Sequence, residues 1–164
     1  MPTTTLRHAT AEDRPVLERL WLMFRHDLSV FRGLLPNPDG TYRSGRLDAA
    51  LAESDWVAYL LMSGDRPIGL ALIRGLSCHV RVLSAFFVVR GARRRGLGMD
   101  AVRELTDRCP GRWEVAFQES NDVASRFWRR VATEIAGDTW TLERRAVPGR
   151  PELRPDTWIS FEVT

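Results

Sequence analysis

The fold is decided by two adjoining stretches, Val80-Arg-Val-Leu-Ser-Ala-Phe-Phe-Val-Val89 and Arg90-Gly-Ala-Arg-Arg-Arg-Gly-Leu-Gly98. The first is a nearly continuous apolar run, typical of a β-strand that is buried on both faces. The second carries Gly96 and Gly98 where a helical pattern begins. Glycines let a ligand approach the backbone closely, and the free N–H groups at a helix start favour an anion. Together with three successive arginines, these residues predict a phosphate-binding turn between a strand and a helix.

Two familiar phosphate-binding motifs do not match this turn. The Rossmann fingerprint requires a third glycine where this chain has Ala101, and it follows the first strand of a domain. The ATP-binding P-loop ends in Gly-Lys-Ser or Gly-Lys-Thr, and the chain contains no lysine. The identity of the anion stays open on these residues alone, and a basic surface turn that only caps a helix is the alternative.

Periodicity on both sides of the turn predicts a mixed α/β sheet with helices on its faces. Helices are expected after Thr10, over residues 44–53, after Gly96, and after Ser120 or Asn121. The strand–helix–strand unit at the centre implies a parallel pair, and the hairpins outside it imply antiparallel edges. Strands are expected over residues 4–10, 56–62, 68–73, 80–89, 113–117, 140–144 and 158–163.

Length and composition fit one soluble domain that covers residues 1–164. Of the 164 residues, 44% are hydrophobic and 27% are charged, which is ordinary for a globular chain. No apolar run is long enough to span a bilayer and no apolar leader opens the chain, so we expect a cytoplasmic protein without membrane contact. The spacing of the three histidines does not suit a metal site. Cys78 and Cys109 are expected to be reduced, packed thiols.

The basic residues are of one kind. All 24 are arginines, and the formal net charge is +3. The lack of lysine excludes any mechanism that uses a lysine amine as nucleophile or Schiff base. Acidic residues alternate with the arginines almost everywhere, whereas nucleic-acid-binding domains concentrate basic residues in a stripe. The charge pattern therefore speaks against a nucleic-acid partner.

The turn and three further segments together resemble the GNAT family of N-acetyltransferases. Arg93-Arg-Arg-Gly-Leu-Gly98 is similar to the acetyl-coenzyme A loop of that family, R/Q-x-x-G-x-G/A. Asn121-Asp-Val-Ala-Ser-Arg-Phe-Trp128 resembles its later N-x-x-A-x-x-F-Y segment. Gly69 fits its recurrent Val/Ile-Gly pair, and Thr10-Ala-Glu-Asp13 fits the start of its first helix. The resemblance runs from about residue 6 to residue 131, with the same element order.

The resemblance implies a GNAT fold: a central, mixed and splayed sheet of six to seven strands, flanked by about four helices. It implies an enzyme that transfers the acetyl group of acetyl-CoA to a primary amine by direct attack, without a covalent enzyme intermediate. The strands at residues 80–89 and 113–117 would part and admit the pantetheine arm of the co-substrate. The residues implied in binding acetyl-CoA are Phe87, Val88, Val89, Arg93, Arg94, Arg95, Gly96, Leu97, Gly98, Met99, Asn121, Phe127 and Trp128.

The usual base and acid of that family are both missing here. Its base is often a Glu on the strand before the loop, where this chain has Ser84 and Ala85. Its acid is often a Tyr at the position of Trp128, and an indole N–H is not a usable acid. Glu119 and Tyr42 are left as candidate catalytic residues. The alternatives are a surface carboxylate for Glu119 and, for Tyr42, a place that lines the acceptor site.

The acceptor is expected to be the primary amine of a small molecule. A protein or peptide amine, or an acyl-CoA-binding module that has lost catalysis, are the alternatives, and a homodimer is an open option. Residues 31–42 and 144–156 carry proline and glycine and are not needed for the co-substrate, so they are expected to form the acceptor side. Arg144, Arg145, Arg150 and Arg154 there favour an amine that also carries a carboxylate or phosphate over a polyamine, unless the interspersed Glu143, Glu152 and Asp156 face it. The alternative is that these arginines only solvate a loop.

Overall fold

The computed structural model describes residues 3–164, which form a seven-stranded sheet in the order β1-β2-β3-β4-β5-β7-β6. The strands are β1 (Thr4–His8), β2 (Trp56–Ser63), β3 (Arg66–Arg74), β4 (Val80–Val88), β5 (Gly111–Phe117), β6 (Thr141–Arg145) and β7 (Asp156–Val163). Over the same residues the α-helices are α1 (Arg14–Ser29), α2 (Gly45–Ala52), α3 (Leu97–Asp107) and α4 (Asp122–Ala136). Short 3-10 turns lie at Ala11–Asp13 and Arg90–Ala92.

The element order and the mixed sheet that the sequence predicts are confirmed. β4 and β5 are the parallel pair at the centre, and the hairpins on both sides are antiparallel. The first helix begins as the sequence indicates, because the Thr10 backbone N–H donates to the Asp13 carboxylate at 2.9 Å. At the start of α4, Asn121 Oδ1 accepts from the Ala124 N–H at 3.1 Å, which identifies Asn121 as the cap.

β4 and β5 part shortly after they meet. Their register covers only Val80 to Val82 against Arg112 to Glu114, although both strands continue for several residues beyond. A bulge accompanies the separation. Leu72 of β3 pairs with Ala85 and Ile73 pairs with Leu83, so Ser84 is the extra residue on β4. The splay expected from the resemblance is therefore present, and it opens a gap between the C-terminal halves of β4 and β5.

Each face of the sheet has its own core. One core packs α3 and α4 on the sheet and includes Trp113 and Val131. The other packs α1 and α2 on the opposite face and includes Leu17 and Leu47. Successive side chains of a strand point to opposite faces, so β4 contributes Phe86 to the first core and Phe87 to the second. This double burial explains the continuous apolar run of β4.

Two smaller findings concern the cysteines and the helices. Both thiols are free; Cys109 is half-buried, but Cys78 is exposed in the turn between β3 and β4. The prediction of a packed thiol is therefore wrong for Cys78, because that turn projects beyond both cores. Among the described residues, no helix combines the length and the hydrophobicity needed to cross a bilayer.

Candidate active site

The loop before α3 presents an unbroken row of unused backbone donors. The amides of residues 92 and 93 bond back to Val89 and Arg90, and that of Asp100 bonds to Gly96. Between them, the six N–H groups of residues 94–99 find no acceptor anywhere in residues 3–164. Six adjacent free donors at the positive end of a helix form a binding site for a polyanion. The predicted phosphate-binding turn therefore has the backbone geometry that its function requires.

Two left-handed residues shape this row. Arg94 has φ of 67° and Gly96 has φ of 73°. Gly96 adopts this conformation without steric penalty, whereas Arg94 is the non-glycine residue in the described chain that does so. Strained residues of this kind gather at ligand-binding loops, where the surrounding structure holds them in place. The side chains of Arg94 and Arg95 are exposed beside the amides and add positive charge.

Arg93 holds the loop to the rest of the protein. Its Nε donates to the Val88 carbonyl at 2.7 Å, and its Nη2 donates to the Asp27 carboxylate on α1. Arg90 donates to the same carboxylate at 2.9 Å. Burial pushes the pKa of Asp27 upward, but the bonds from Arg93 and Arg90 outweigh it and lower the pKa below its ordinary value. The guanidinium of Arg93 is thus engaged within the protein rather than directed at a ligand.

The edge of β4 that faces the gap can be assigned residue by residue. Val89 N–H donates to Ile68 O at 2.8 Å, so Val89 faces β3. Backbone groups alternate in direction along a strand, so Phe87 also faces β3, while Phe86 and Val88 face the gap. The implied contacts of Phe87 and Val89 with a pantetheine arm therefore lack geometric support. The N–H groups of Phe86 and Val88 are the ones directed into the gap.

Three aromatic rings lie between the diverging end of β4 and α4. Phe86 stacks on Phe127 with centroids 5.9 Å apart, and Trp128 meets both rings edge-on at 5.5 and 4.8 Å. Gly98 abuts this cluster, because a Cβ built there would lie 3.3 Å from the Phe127 ring. The α3 start and the α4 aromatics are thus in direct contact, as the two resembling motifs imply. Asn121 stands at the first residue before the same helix.

A cavity of about 270 Å³ opens at the far end of β5. It is lined by residues 31–32 after α1, 118–120 after β5, and 152–155 before β7. The ion pair between Arg32 and Asp156, at 2.6 Å, joins two of these segments. The two segments expected on the acceptor side therefore meet here, although only residues 31 and 32 of the first one reach the cavity. Tyr42 does not line it.

The charges of the β6–β7 segment are mostly neutralised. Arg144 pairs with Glu119 at 2.9 Å, Arg145 with Glu114 at 2.8 Å, and Arg150 with Glu152. Of the four arginines, Arg154 is the one that lines the cavity. It forms no ion pair with residues 3–164. The interspersed acids do face these arginines, since Glu143 pairs with Arg145 and Glu152 with Arg150, so the segment gives little support to the preference for an anionic acceptor.

Glu119 is poorly suited to act as a base. Hydrogen bonds from Arg144 and then from Thr157 stabilise its carboxylate and lower the pKa of Glu119. A general base works best with a pKa near the operating pH, and this shift moves Glu119 in the opposite direction. The ordinary alternative, a surface carboxylate that holds the β6–β7 segment against the end of β5, fits its contacts.

A second hollow, of about 380 Å³, lies at the other end of the sheet. Residues 8–11 after β1, 50–54 around the end of α2, and 56–58 of β2 line it. It is separate from the loop before α3 and from the gap between β4 and β5. We place the candidate site at the gap, because the free donors and the smaller cavity converge there.

Comparison with known families decides the assignment. The model of the acetyltransferase (GNAT) family matches residues 18–132, which is most of the chain and includes the loop, the gap and the α4 motif. This chain belongs to the GNAT acetyltransferase family. Acetyl-CoA is accordingly its co-substrate. No curated protein sequence matches it significantly.

Solved GNAT structures share the fold of this GNAT domain over its whole length. An acetyltransferase from Thermus thermophilus is similar with a TM-score of 0.70 and 19% identity, over 98% of this chain and 97% of that one. The ribosomal-protein-S18-alanine N-acetyltransferase from Escherichia coli gives 0.69 and 13%, over 99% and 95%. A GNAT acetyltransferase from Elizabethkingia anophelis with acetyl-CoA bound gives 0.65 and 10%, over 99% and 100%.

Three polar residues of this GNAT domain, Arg25, Arg46 and Gln118, belong to no motif that the sequence shows. Arg25 is four residues from Trp21 and one from Phe24, so it lies beside the buried stripe of α1. A charge next to an apolar stripe is a weak sequence signal. Arg46 and Gln118 give no sequence signal, because their positions are set by the packing of α2 and of the end of β5 near β4.

Proposed function

We propose that this GNAT domain transfers the acetyl group of acetyl-CoA to the primary amine of a small molecule. The observation that carries the proposal is the row of six free amides at residues 94–99, which ends beside the gap between β4 and β5. Those donors suit the charge of a pyrophosphate, and the gap lies where the resemblance places the pantetheine arm. The chemistry supplied by the co-substrate is an activated acetyl carbon.

The residues would divide the binding between them. The amides of residues 94–99 hold the pyrophosphate, with Arg94 and Arg95 adding charge. The N–H groups of Phe86 and Val88 bond the arm in the gap and polarise the thioester carbonyl, where a fixed donor is most effective. Phe127 and Trp128 pack against the arm from α4, and Leu97, Gly98 and Met99 bring their backbone to its phosphate end.

The transfer itself needs an amine that arrives neutral. Nitrogen attacks the acetyl carbon, the carbon–nitrogen bond forms, and the carbon–sulfur bond breaks. The proton lost by nitrogen balances the one gained by the departing thiolate. β4 carries no carboxylate, and Glu119 is held as a stable anion. Positioning of the two reactants, rather than a strong base, then supplies most of the rate.

The size of the cavity favours a small acceptor. About 270 Å³ accommodates a metabolite, and the residue 152–155 segment covers part of it. The alternative, a protein or peptide amine, is supported by the similarity to an enzyme named for acting on ribosomal protein S18. A screen of small amines and of N-terminal peptides, followed by release of the coenzyme A thiol, separates the two. An acyl-CoA-binding module without catalysis would turn over neither.

The assignment of the loop is tested with Gly98→Asp and its uncharged isostere Gly98→Asn. Both side chains meet the Phe127 ring, so both are expected to weaken acetyl-CoA binding. Only Asp adds a negative charge beside the phosphates, so we expect its dissociation constant to exceed that of Asn by about tenfold, equivalent to ~1.4 kcal/mol. The difference should shrink at high salt. Titration calorimetry that finds Asp and Asn equal to the parent protein would refute the loop assignment.

A further inference from the structure

Two arginines on the α1–α2 face, both half-buried, form no ion pair with a carboxylate of residues 3–164. Arg46 on α2 donates to the Ser84 carbonyl, and no carboxylate of residues 3–164 lies within ion-pair distance of it. Arg25 on α1 has its Nε fully enclosed and without a hydrogen-bond partner in the described chain. A guanidinium carries five N–H donors, so most of the donors of this pair are unused. Charges that are partly withdrawn from water are normally paired, and these two leave donors available to a ligand.

The rings of Trp21 and Phe24 pack against the pair, Arg43 and Arg32 add positive charge to its surroundings, and Tyr42 and Asp156 are the titratable groups of opposite sign that act on it. Arg46 lies over the Trp21 ring at 5.2 Å and the Phe24 ring at 5.9 Å, and Arg25 lies over Trp21 at 5.9 Å. Such contacts offset part of the burial but do not neutralise the charge. Burial, and then the charge of Arg25, lowers the pKa of Arg46 to about 10, so it stays cationic at neutral pH. The nearby acid, Asp156, is already bound by Arg32.

The pair lies beside the place where the acetyl group is transferred. The Ser84 carbonyl that Arg46 holds belongs to the bulge at which β4 leaves β5. Arg32, whose charge acts on Arg25, lines the acceptor cavity. Gln118 lines the same cavity from the end of β5, and its Oε1 is buried without a partner in residues 3–164. The pair itself does not line the cavity, but it is connected to this region through Ser84 and Arg32, and Gln118 offers an unused neutral acceptor in the cavity lining.

We propose that Arg25 and Arg46 bind an anionic group, a carboxylate or a phosphate, of a small acceptor whose primary amine lies against Gln118. This assignment rests on the acetyl transfer proposed above and names the chemical class of its acceptor. The anion pairs with donors that the protein leaves unused, and the amine donates to the Gln118 oxygen. Both ends of the acceptor are then bound by side-chain groups that have no hydrogen-bond partner within the described protein.

The same charges help the attack. Nearby cations favour the neutral form of an amine, since a positive charge disfavours protonation of its neighbour. An acceptor held by its anion between Arg25 and Arg46 would therefore present more of the neutral, nucleophilic amine. This effect substitutes for the general base that β4 lacks. A polyamine, with no anion to offer, would be repelled by the same pair.

Matched pairs of amines test the acceptor class. Thiol release from acetyl-CoA is measured with the twenty L-amino acids against their carboxamides, and with phosphoethanolamine against ethanolamine. The members of each pair differ in the anionic group. We expect an anionic member to exceed its neutral counterpart at least tenfold in kcat/KM, and the two arms tell a carboxylate from a phosphate. Equal turnover of neutral and anionic members would overturn the subsite and leave the acetyl transfer intact.

Three variants locate the effect. Arg46→Gln and Arg25→Gln are expected to raise KM for the anionic amine about tenfold, with a smaller change in kcat and unchanged affinity for acetyl-CoA. Arg46→Lys keeps the charge and should recover part of the loss. Arg112→Gln removes one exposed charge at the opposite end of β5 and is the matched control. If the control loses as much as the pair, net charge and not this subsite is responsible.

A binding measurement keeps the subsite testable without turnover. Trp21 donates its indole N–H to Arg43 O and lies beneath both guanidiniums, so its NMR signal reports on them. N-acetylglycine and inorganic phosphate should shift that signal, and N-acetylglycinamide should not. No shift with either anion overturns the subsite. Failure of acetyl-CoA to bind or react with any amine, with the shift still present, overturns the acetyl transfer instead.

Discussion

Gly69 shows how a single missing side chain positions the strand beside the gap. A Cβ at this position would lie 2.1 Å from the Phe87 carbonyl oxygen, and that oxygen belongs to backbone that cannot move aside alone. The pairing of β3 with β4 at Gly69 and Val88 therefore requires glycine. It is the physical reason for the Val/Ile-Gly feature in this sequence.

Gly69→Ala is expected to lower the free energy of unfolding by about 3 kcal/mol, in the range of a forced overpacking of a core. Urea unfolding measures it. Gly45→Ala is the control, because a Cβ there meets nothing within 4 Å and Gly45 starts α2 in an ordinary conformation. That variant should be neutral or stabilised by up to about 1 kcal/mol. Equal stability of Gly69→Ala and the parent would contradict the steric argument.

The two possible roles of Glu119, general base or structural contact, predict different losses of kcat/KM when the residue is replaced. A general base contributes about 10²- to 10⁴-fold to the rate. Because the bonds of Arg144 and Thr157 lower its pKa, we expect Glu119→Gln to reduce kcat/KM less than about tenfold. The rate should rise with pH in both proteins as the acceptor amine deprotonates.

Arg144→Gln serves as the control for that variant, since it breaks the same ion pair and keeps the carboxylate. Similar small losses in both variants would fit a contact that holds the β6–β7 segment. A loss of about 10³-fold confined to Glu119→Gln, with the pH profile flattened, would restore it as a base.

In the loop before α3, neighbouring arginines have different roles. Arg93 bonds Val88 and Asp27 through a planar fork, whereas Arg95 is exposed and free to act as a charge. Lysine keeps the charge but not the fork. Arg93→Lys should therefore weaken acetyl-CoA binding nearly as much as Arg93→Gln, while Arg95→Lys should keep most of the affinity that Arg95→Gln loses. Calorimetry at two salt concentrations checks both pairs, and rescue of position 93 by lysine would show that its charge alone matters.

Elements differ in how far their sequence predicts them. The strand–turn–helix from β4 to α3 is local: its periodicity, its glycines and its free amides follow from adjacent residues, and the family motif covers them. Which backbone groups of β4 face the gap depends on its register with β3, so of the implied residues Phe87, Val88 and Val89 only Val88 faces it, together with Phe86. The proposed acceptor region is assembled from α1, α2, β5 and the β6–β7 segment, so the positions of Arg25, Arg46 and Gln118 follow only from the folded structure.

The pairing of arginines with acids is unpredictable for the same reason. Arg144 and Arg145 are adjacent in sequence, yet strand alternation sends them to Glu119 and Glu114 on different sides. A count of charges in residues 144–156 cannot reveal that most are neutralised. The half-buried Arg25 and Arg46, which form no ion pair with residues 3–164, look ordinary in a chain whose basic residues are all arginine.

At the scale of the whole molecule, the β5–β7–β6 half of the sheet is joined by a half-buried ion pair. Glu114 on β5 accepts from Arg145 on β6 at 2.8 and 3.2 Å and from Ser160 on β7 at 3.3 Å. The bonds from Arg145 outweigh burial and lower the pKa of Glu114. One carboxylate thus links three strands.

A lowered pKa in the folded state makes this contribution dependent on pH. It is fully present above the unfolded value, about 4.3 for Glu, and it is lost as pH falls through the lower folded value. Glu114→Gln should lose about 2 kcal/mol at pH 7 and show a shallower decline in stability as the pH falls below about 4. Urea unfolding at several pH values measures both effects. Glu143→Gln, an exposed partner of the same arginine, should change stability by less than about 1 kcal/mol.

The position of β7 between β5 and β6 has a kinetic consequence. β7 follows β6 in the chain, yet it pairs along the full length of β5, as between Trp113 and Phe161, which are far apart in sequence. Contacts between distant segments form late, because closing a long loop costs entropy before any pairing compensates. Without β7, β5 would pair with β4 alone, through three residue pairs. We expect the hairpins of β1 to β4 to gain protection from hydrogen exchange early in refolding. The end of β5, which leads into Gln118, is expected to become ordered last.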